Sequence, residues 1–169
     1  MSPSTSNTIC LEFPFSIWDR IWAAFVLIPQ RRLNIIIHSV IPLIGLSVLG
    51  LLLSRGHPIE LDAWLVIGTC FFFTPAVTVF AVFINYITNK SVREPFSYTF
   101  DANGIHVLAA TYAYTNPWTA INKVKCSGGF LMFFISPGYA HCIPLKAIRR
   151  SNQYEPLLSL ARINGVPIM

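Results

Sequence analysis

The chain has 169 residues, of which 54% are hydrophobic and 11% charged, with a mean hydropathy of +0.58. Globular domains carry about 25% charged residues, so the composition argues against an ordinary soluble protein and for a membrane protein with one modest soluble part. The net charge of +5 sits in the second half, where eight Lys/Arg face three Asp/Glu from Lys90 onward.

Residues 1–32 read as a cytoplasmic N-terminal segment. No cleavable signal peptide is evident, because Glu12 and Asp19 precede the first apolar run and no basic stretch opens the chain. Residues 1–8 are rich in Ser, Thr and Asn and predict disorder. The segment "CLEFPF" alternates weakly and is a candidate strand, which leaves open whether residues 10–15 join a later sheet. In "SIWDRIWAAFVLIPQRR", Trp18, Ile21, Trp22, Phe25 and Val26 recur at helical spacing. Ser16 and Asp19 have the spacing of a capping box. This amphipathic helix either lies along the membrane interface or packs on the C-terminal domain.

Two uncharged apolar runs follow, residues 33–53 and 63–87. The first, 21 residues at 1.5 Å each, matches a hydrocarbon core of about 30 Å. Pro42 and Pro75 are tolerated in membrane helices. The short linker, residues 54–62, makes the pair a hairpin. Arg20, Arg31 and Arg32 before it and Lys90 and Arg93 after it place both ends in the cytoplasm and the linker outside. Asn85, Thr88, Thr69, Thr74 and Thr78 are candidates to bond the two spans together or to bind a partner helix. His38 lies inside the first span, where an ionisable residue raises suspicion of function. It is also close enough to the cytoplasmic end to reach the interface.

Residues 95–169 change to the alternating pattern of strands. "FSYTF" is a strand, and "DANG" a tight turn in which Asp101, Asn103 and Gly104 supply the positive-φ positions. "IHVLAATYAYT" is a second strand, bent or split near Ala109 and Ala110. Pro117 marks a corner, and Trp118 after it reads as a core anchor. "AINKVKCS", "FLMFFIS" and "AHCIPL" are further strands, the middle one apolar enough to be the most buried. A C-terminal helix buries Tyr154, Leu157, Leu158 and Ala161, with Pro156 in its first turn. The fold class is α+β: an amphipathic helix, a transmembrane hairpin, and a small antiparallel sheet closed by a helix, the outline of a pleckstrin-homology-like fold.

Three motifs in order, Phe100 with Gly104–Ile105, Pro117–Trp118 with Ile121, and Ile143–Pro144–Leu145–Lys146, resemble those of the bacterial YcxB-like family. The helix at 16–32 fits that family as well, and the likeness runs from about Glu12 to Ile163. It implies a two-helix membrane hairpin followed by a pleckstrin-homology-like domain in the bacterial inner membrane. It implies no activity and no catalytic residues. The present chain is less charged than that family leads one to expect.

No catalytic or metal constellation is legible. Cys10, Cys70, Cys126 and Cys142 contain no CxxC pair, and such lone thiols fit a reducing compartment, although Cys126 and Cys142 are free to meet in the fold. His106 and His141 fall on different strands and read as exposed strand residues. Asp101 reads as a turn residue, and Glu94 and Glu155 as surface or capping groups. No phosphate loop or nucleophile elbow is present, no cofactor is called for, and no nucleic-acid motif accompanies the basic residues. Lys123, Lys125, Lys146, Arg149 and Arg150 form a candidate basic patch for lipid or partner binding. The expectation is a non-enzymatic binding or scaffolding protein, one version of which is an immunity protein against a membrane-active toxin. The alternatives are a lipid-sensing regulator that uses the basic patch and a transporter or channel component. Oligomeric state is left open.

Overall fold

The computed structural model describes residues 8–30, 32–56 and 61–169, with the side chains of residues 32–34, 37 and 62 left out of the description. The expected disorder of residues 1–7, Arg31 of the basic flank and residues 57–60 of the linker lie outside the described residues.

The fold begins with strand β1 (Ile9–Phe13). Its alternation puts Ile9, Leu11 and Phe13 inward and Cys10 and Glu12 outward. Helix α1 (Ile17–Leu27) follows, and a 3₁₀ turn (Ile28–Gln30) extends it. The Ser16 hydroxyl accepts from the Asp19 amide while the Asp19 carboxylate accepts from the Ser16 amide, the reciprocal cap that the spacing predicts. Helices α2 (Arg32–Ser54) and α3 (Leu61–Thr88) then pack against each other, and a one-turn helix α4 (Lys90–Arg93) leads back.

Strand β2 (Phe96–Phe100) pairs antiparallel with β1, Phe13 opposite Phe96 and Ile9 opposite Phe100. Strands β3 (Gly104–Ala109) and β4 (Ala113–Pro117) complete a four-stranded sheet in chain order. Residues 10–13 therefore join the C-terminal sheet, and the whole helical segment is inserted between two neighbouring strands of it. A second sheet holds β5 (Lys123–Ser127), β6 (Phe130–Ser136) and β7 (Tyr139–Pro144) in order. Helices α5 (Leu145–Arg150) and α6 (Tyr154–Ile163) close the chain. They are two helices rather than one, separated where Asn152 adopts a left-handed φ of 53°. Leu157, Leu158 and Ala161 are buried as expected. Beyond α6 the tail pairs with the edge of β5, the Val124 amide donating to Pro167 and the Met169 amide to Val124.

The one meander expected from the turn signals is thus two sheets facing each other across a common core. Phe100, Ile105, Val124, Leu131, Phe133, Ile143, Ile148 and Leu157 fill it. Trp118 is buried there, its indole donating to the Asp101 carbonyl at 2.8 Å. "IHVLAATYAYT" splits into β3 and β4. In the "DANG" turn the Asp101 carboxylate accepts from the Asn103 and Gly104 amides at 2.7 and 3.1 Å. Gly104 alone has positive φ there, contrary to the expectation for Asp101 and Asn103. A Cβ at Gly104 would stand 2.2 Å from the Asn116 carbonyl oxygen, so the β3–β4 pairing itself demands glycine.

The apolar run of β6 has a specific cause. Leu131 and Phe133 face the core between the sheets, while Phe130, Met132 and Phe134 face Ala23, Val26 and Leu27 of α1. Both faces of one strand are covered, one by a sheet and one by a helix. Helix α1 comes so close to the β5–β6 turn that a Cβ at Gly128, itself at φ +58°, would meet Val26 Cγ2 at 2.3 Å.

Among the described residues, one helix, Ala63–Thr88, is long and apolar enough to cross a membrane, with mean hydropathy 2.1 and only 6% of its apolar window buried. His38–Ser54 of α2 is a shorter apolar helix. Gly45 of α2 lets the two backbones approach, since a Cβ there would lie 3.0 Å from Cys70 Cβ. Of the hydroxyls that were candidates to link the spans, Thr69, Thr78 and Thr88 donate to the carbonyls of Leu65, Thr74 and Ile84, one turn back in their own helix.

Because β1 supplies three core residues and covers the edge of β2, residues 95–169 should not fold alone. Deleting residues 1–14 from the full chain is expected to abolish the protease-resistant core seen by limited proteolysis. Leu11→Ala, at a site 3% exposed, should cost about 2–5 kcal/mol in chemical denaturation. A stable, monomeric 95–169 fragment would contradict this architecture.

Candidate functional site

The five candidate basic residues do not line one common hollow. Lys146 and Arg150 lie on one face of α5 and border a groove with Ser16, Asp19, Trp22 and Gly128, at the start of α1. Lys123 lies instead with Gln30, Asn122 and Pro137, at the other end of α1, and its ammonium sits 5.0 Å from the centroid of the Phe134 ring. Lys125 stands opposite Met132 on β5, on the same side as Lys123. Arg149 is exposed on α5. The structure brings Lys146 and Arg150 to one hollow and Lys123 to another.

Helix α1 decides this arrangement. Its inner stripe packs on β6, while Trp18 and Trp22 remain 75% and 56% exposed on the other side. The Trp22 indole donates to the Gly128 carbonyl at 2.8 Å, which fixes the ring edge and leaves its face open. Of the two expectations for α1, packing on the domain is the one seen, and the helix keeps Trp18 and Trp22 outward.

The sequence reading missed a second locus between β4 and β7, the facing edges of the two sheets. Alternation on the β4 stretch puts Tyr112, Tyr114 and Asn116 on the side of Val107 and Ile105. From β7, His141 enters the same space and is only 4% exposed, which corrects the expectation of an exposed strand histidine. Its Nε2 lies 2.8 Å from the Asn116 amide nitrogen, and its Nδ1 lies 3.4 Å from the Tyr98 hydroxyl. The Tyr114 ring stacks on the imidazole at 5.9 Å and 19°. Burial lowers the His141 pKa to about 4 and raises the Tyr98 hydroxyl well above its ordinary value. At neutral pH the imidazole is therefore uncharged. An Asn116 amide that donates to Nε2 requires the neutral imidazole to carry its proton on Nδ1, toward Tyr98. The signal that could have found this locus is the spacing Tyr-x-Tyr-x-Asn, polar and aromatic where a core-facing strand should be aliphatic.

His106 is elsewhere. Its Nδ1 lies 2.8 Å from the Thr115 hydroxyl, and its Nε2 lies 3.0 Å from the Asp101 carboxylate. Burial alone would raise the Asp101 pKa, but hydrogen bonds from His106 and the Asn103 and Gly104 amides outweigh it and hold it below its ordinary value. Cys126 and Cys142 do not meet either. They lie on β5 and β7 with β6 between, paired to Leu131 and Met132, which face opposite sides of that strand. All four cysteines are free thiols, and burial pushes the Cys142 thiol up to about 12, far from a reactive thiolate. Among the described residues no three His, Cys, Asp or Glu side chains gather as metal ligands would. His38 is half-buried within α2.

Searches against protein-family models, curated proteins and solved structures find no match for this chain.

The buried imidazole makes a pH prediction. An unfolded chain takes up a proton at the ordinary pKa of 6.5, whereas the folded chain resists it down to about 4. The contribution is full above pH 6.5 and is lost as pH falls toward 4. Unfolding free energy should fall steadily between pH 6.5 and about 4, by on the order of 3 kcal/mol in all. His141→Gln should lack this slope between pH 6.5 and 5 in denaturant titrations of the detergent-solubilised chain. An unchanged slope would place the proton uptake elsewhere.

Proposed function

We propose that the chain is a bacterial inner-membrane protein that crosses the bilayer twice, with both ends in the cytoplasm. It holds a pleckstrin-homology-like domain against the inner leaflet, where the domain binds rather than catalyses. The supporting observation is the exposed Trp18–Trp22 stripe on a helix whose other face is packed, with Lys146 and Arg150 bordering the same groove. Tryptophan favours the headgroup region. A basic residue near an anionic leaflet gains about 1 kcal/mol. Seven antiparallel strands in two sheets, closed by a C-terminal helix, support the pleckstrin-homology-like and YcxB-like reading.

The hairpin reading rests on α2 and α3 lying side by side, with exposed apolar surface on both. Because both ends of the helical segment run into adjacent strands, the domain has two covalent attachments to the membrane. That limits its tilt far more than a single tether would and keeps α1 at the surface. This geometry suits a scaffold or sensor whose ligand arrives at the inner leaflet.

Reconstituted in nanodiscs, the protein should show tryptophan emission quenched by lipids brominated near the headgroup. Trp18→Phe and Trp22→Phe should each remove part of that component. Lys146→Ala/Arg150→Ala should weaken quenching in discs containing phosphatidylglycerol and leave it unchanged in neutral discs. Quenching that does not depend on Trp18 and Trp22 would refute the surface contact.

A further inference from the structure

A cavity of about 380 Å³ opens between α1, the last turns of α3 and the β4–β7 corner. Arg20, Asn85, Tyr112, Tyr114, Tyr139 and His141 are among the residues on its wall. Its size falls in the range of small-molecule pockets, and it belongs to neither of the hollows that hold Lys146, Arg150 and Lys123.

Arg20 is the charge in this cavity. Its Nη2 donates to the Val92 carbonyl, and its guanidinium carbon lies 5.1 and 5.9 Å from the Phe15 and Phe96 ring centroids. Among the described residues no carboxylate pairs with it. Asp19, its neighbour, is committed to the Ser16 cap, and Glu94 accepts from the Thr111 amide and hydroxyl. A guanidinium carries five N–H donors, yet among the described residues it meets one acceptor. The Tyr112, Tyr114 and Tyr139 hydroxyls likewise make no hydrogen bond among the described residues.

No Asp or Glu lines the cavity. A cationic ligand between these aromatic walls would have to sit beside the Arg20 charge with no lining carboxylate to offset it. An anion would find a guanidinium suited to phosphate geometry and several hydroxyl donors. Burial raises the pKa of Tyr112 and takes Tyr114 to about 12, so both remain protonated donors at neutral pH.

We infer that this cavity binds a phosphate-bearing ligand, with Arg20 on the phosphate and the Tyr112–Tyr114–Tyr139 wall around the group that carries it. The favoured source is an anionic phospholipid, because Val82 and Asn85 of α3 form one wall and the cavity is far larger than a bare phosphate. The lipid source rests on the membrane reading above; the phosphate site itself does not.

The test uses the full chain in detergent, titrated with dihexanoyl phosphatidylglycerol and followed by intrinsic fluorescence. Saturable binding is expected, with affinity at least ~10-fold lower in Arg20→Gln and partly restored in Arg20→Lys. Arg149→Ala, exposed on α5 and lining neither this cavity nor the groove at Lys146 and Arg150, should bind like the parent, which separates this site from a general effect of net charge. Inorganic phosphate and glycerol 3-phosphate are added as competitors. If neither competes at millimolar concentration, the lipid source holds. If they displace the probe in an Arg20-dependent manner, the phosphate site holds and its ligand is water-soluble. Should Arg20→Gln not fold, Tyr114→Phe/Tyr139→Phe decides, with a several-fold loss expected. No saturable binding, or affinity indifferent to Arg20 and to both tyrosines, overturns the inference.

Discussion

The pairing of β1 with β2 is the constraint on which the rest depends. Phe13 stands opposite Phe96 with every helix of the first half between them. Ile9, Leu11 and Phe13 complete the core from a strand made before the helical segment. The pairing cannot form until α1, α2 and α3 have been synthesised and their ends brought together. The loop-closure cost of such a non-local contact is met only when it forms. Once formed, it fixes where both ends of the helical segment emerge from the domain.

Helix α1 follows from that constraint. It leaves β1 after a short link through Pro14 and Phe15 and must turn back over the nearest apolar surface. That surface is the outer face of β6, where Phe130, Met132 and Phe134 would otherwise be exposed. Gly128 permits the close approach, and Trp22 secures it with one hydrogen bond. Packing one stripe of α1 directs its tryptophans outward, so the element that completes the domain is also the one proposed to contact lipid.

The cavity at Arg20 arises from the same geometry. The two sheets share a core but do not join along β4 and β7, and His141 bridges part of that gap through Asn116 and Tyr98. Where the strands part, α1 and α3 form the remaining wall. A neutral histidine there can satisfy two polar partners without adding charge beside Arg20. Burial in that corner lowers the proton affinity of both His141 and Arg20.

Local patterns made much of this legible from the chain alone. Residue-by-residue hydropathy marked the long apolar helices. The Ser16–Asp19 spacing marked the start of α1, and alternation and turn residues marked most of the strands. Pro117 and Trp118 marked the corner, because a proline without an N–H and a large ring with one donor have few places to go. Tertiary structure decided what depends on neighbours distant in sequence. The two-sided burial of β6 reads in sequence only as an apolar run, since periodicity does not reveal what covers each face. The placing of Lys123 in one hollow and of Lys146 and Arg150 in another, the separation of Cys126 from Cys142, and the burial of His141 depend on which strands lie side by side. No local pattern contains that information, because it is set by the cost of leaving β6, the β2 edge and the core uncovered.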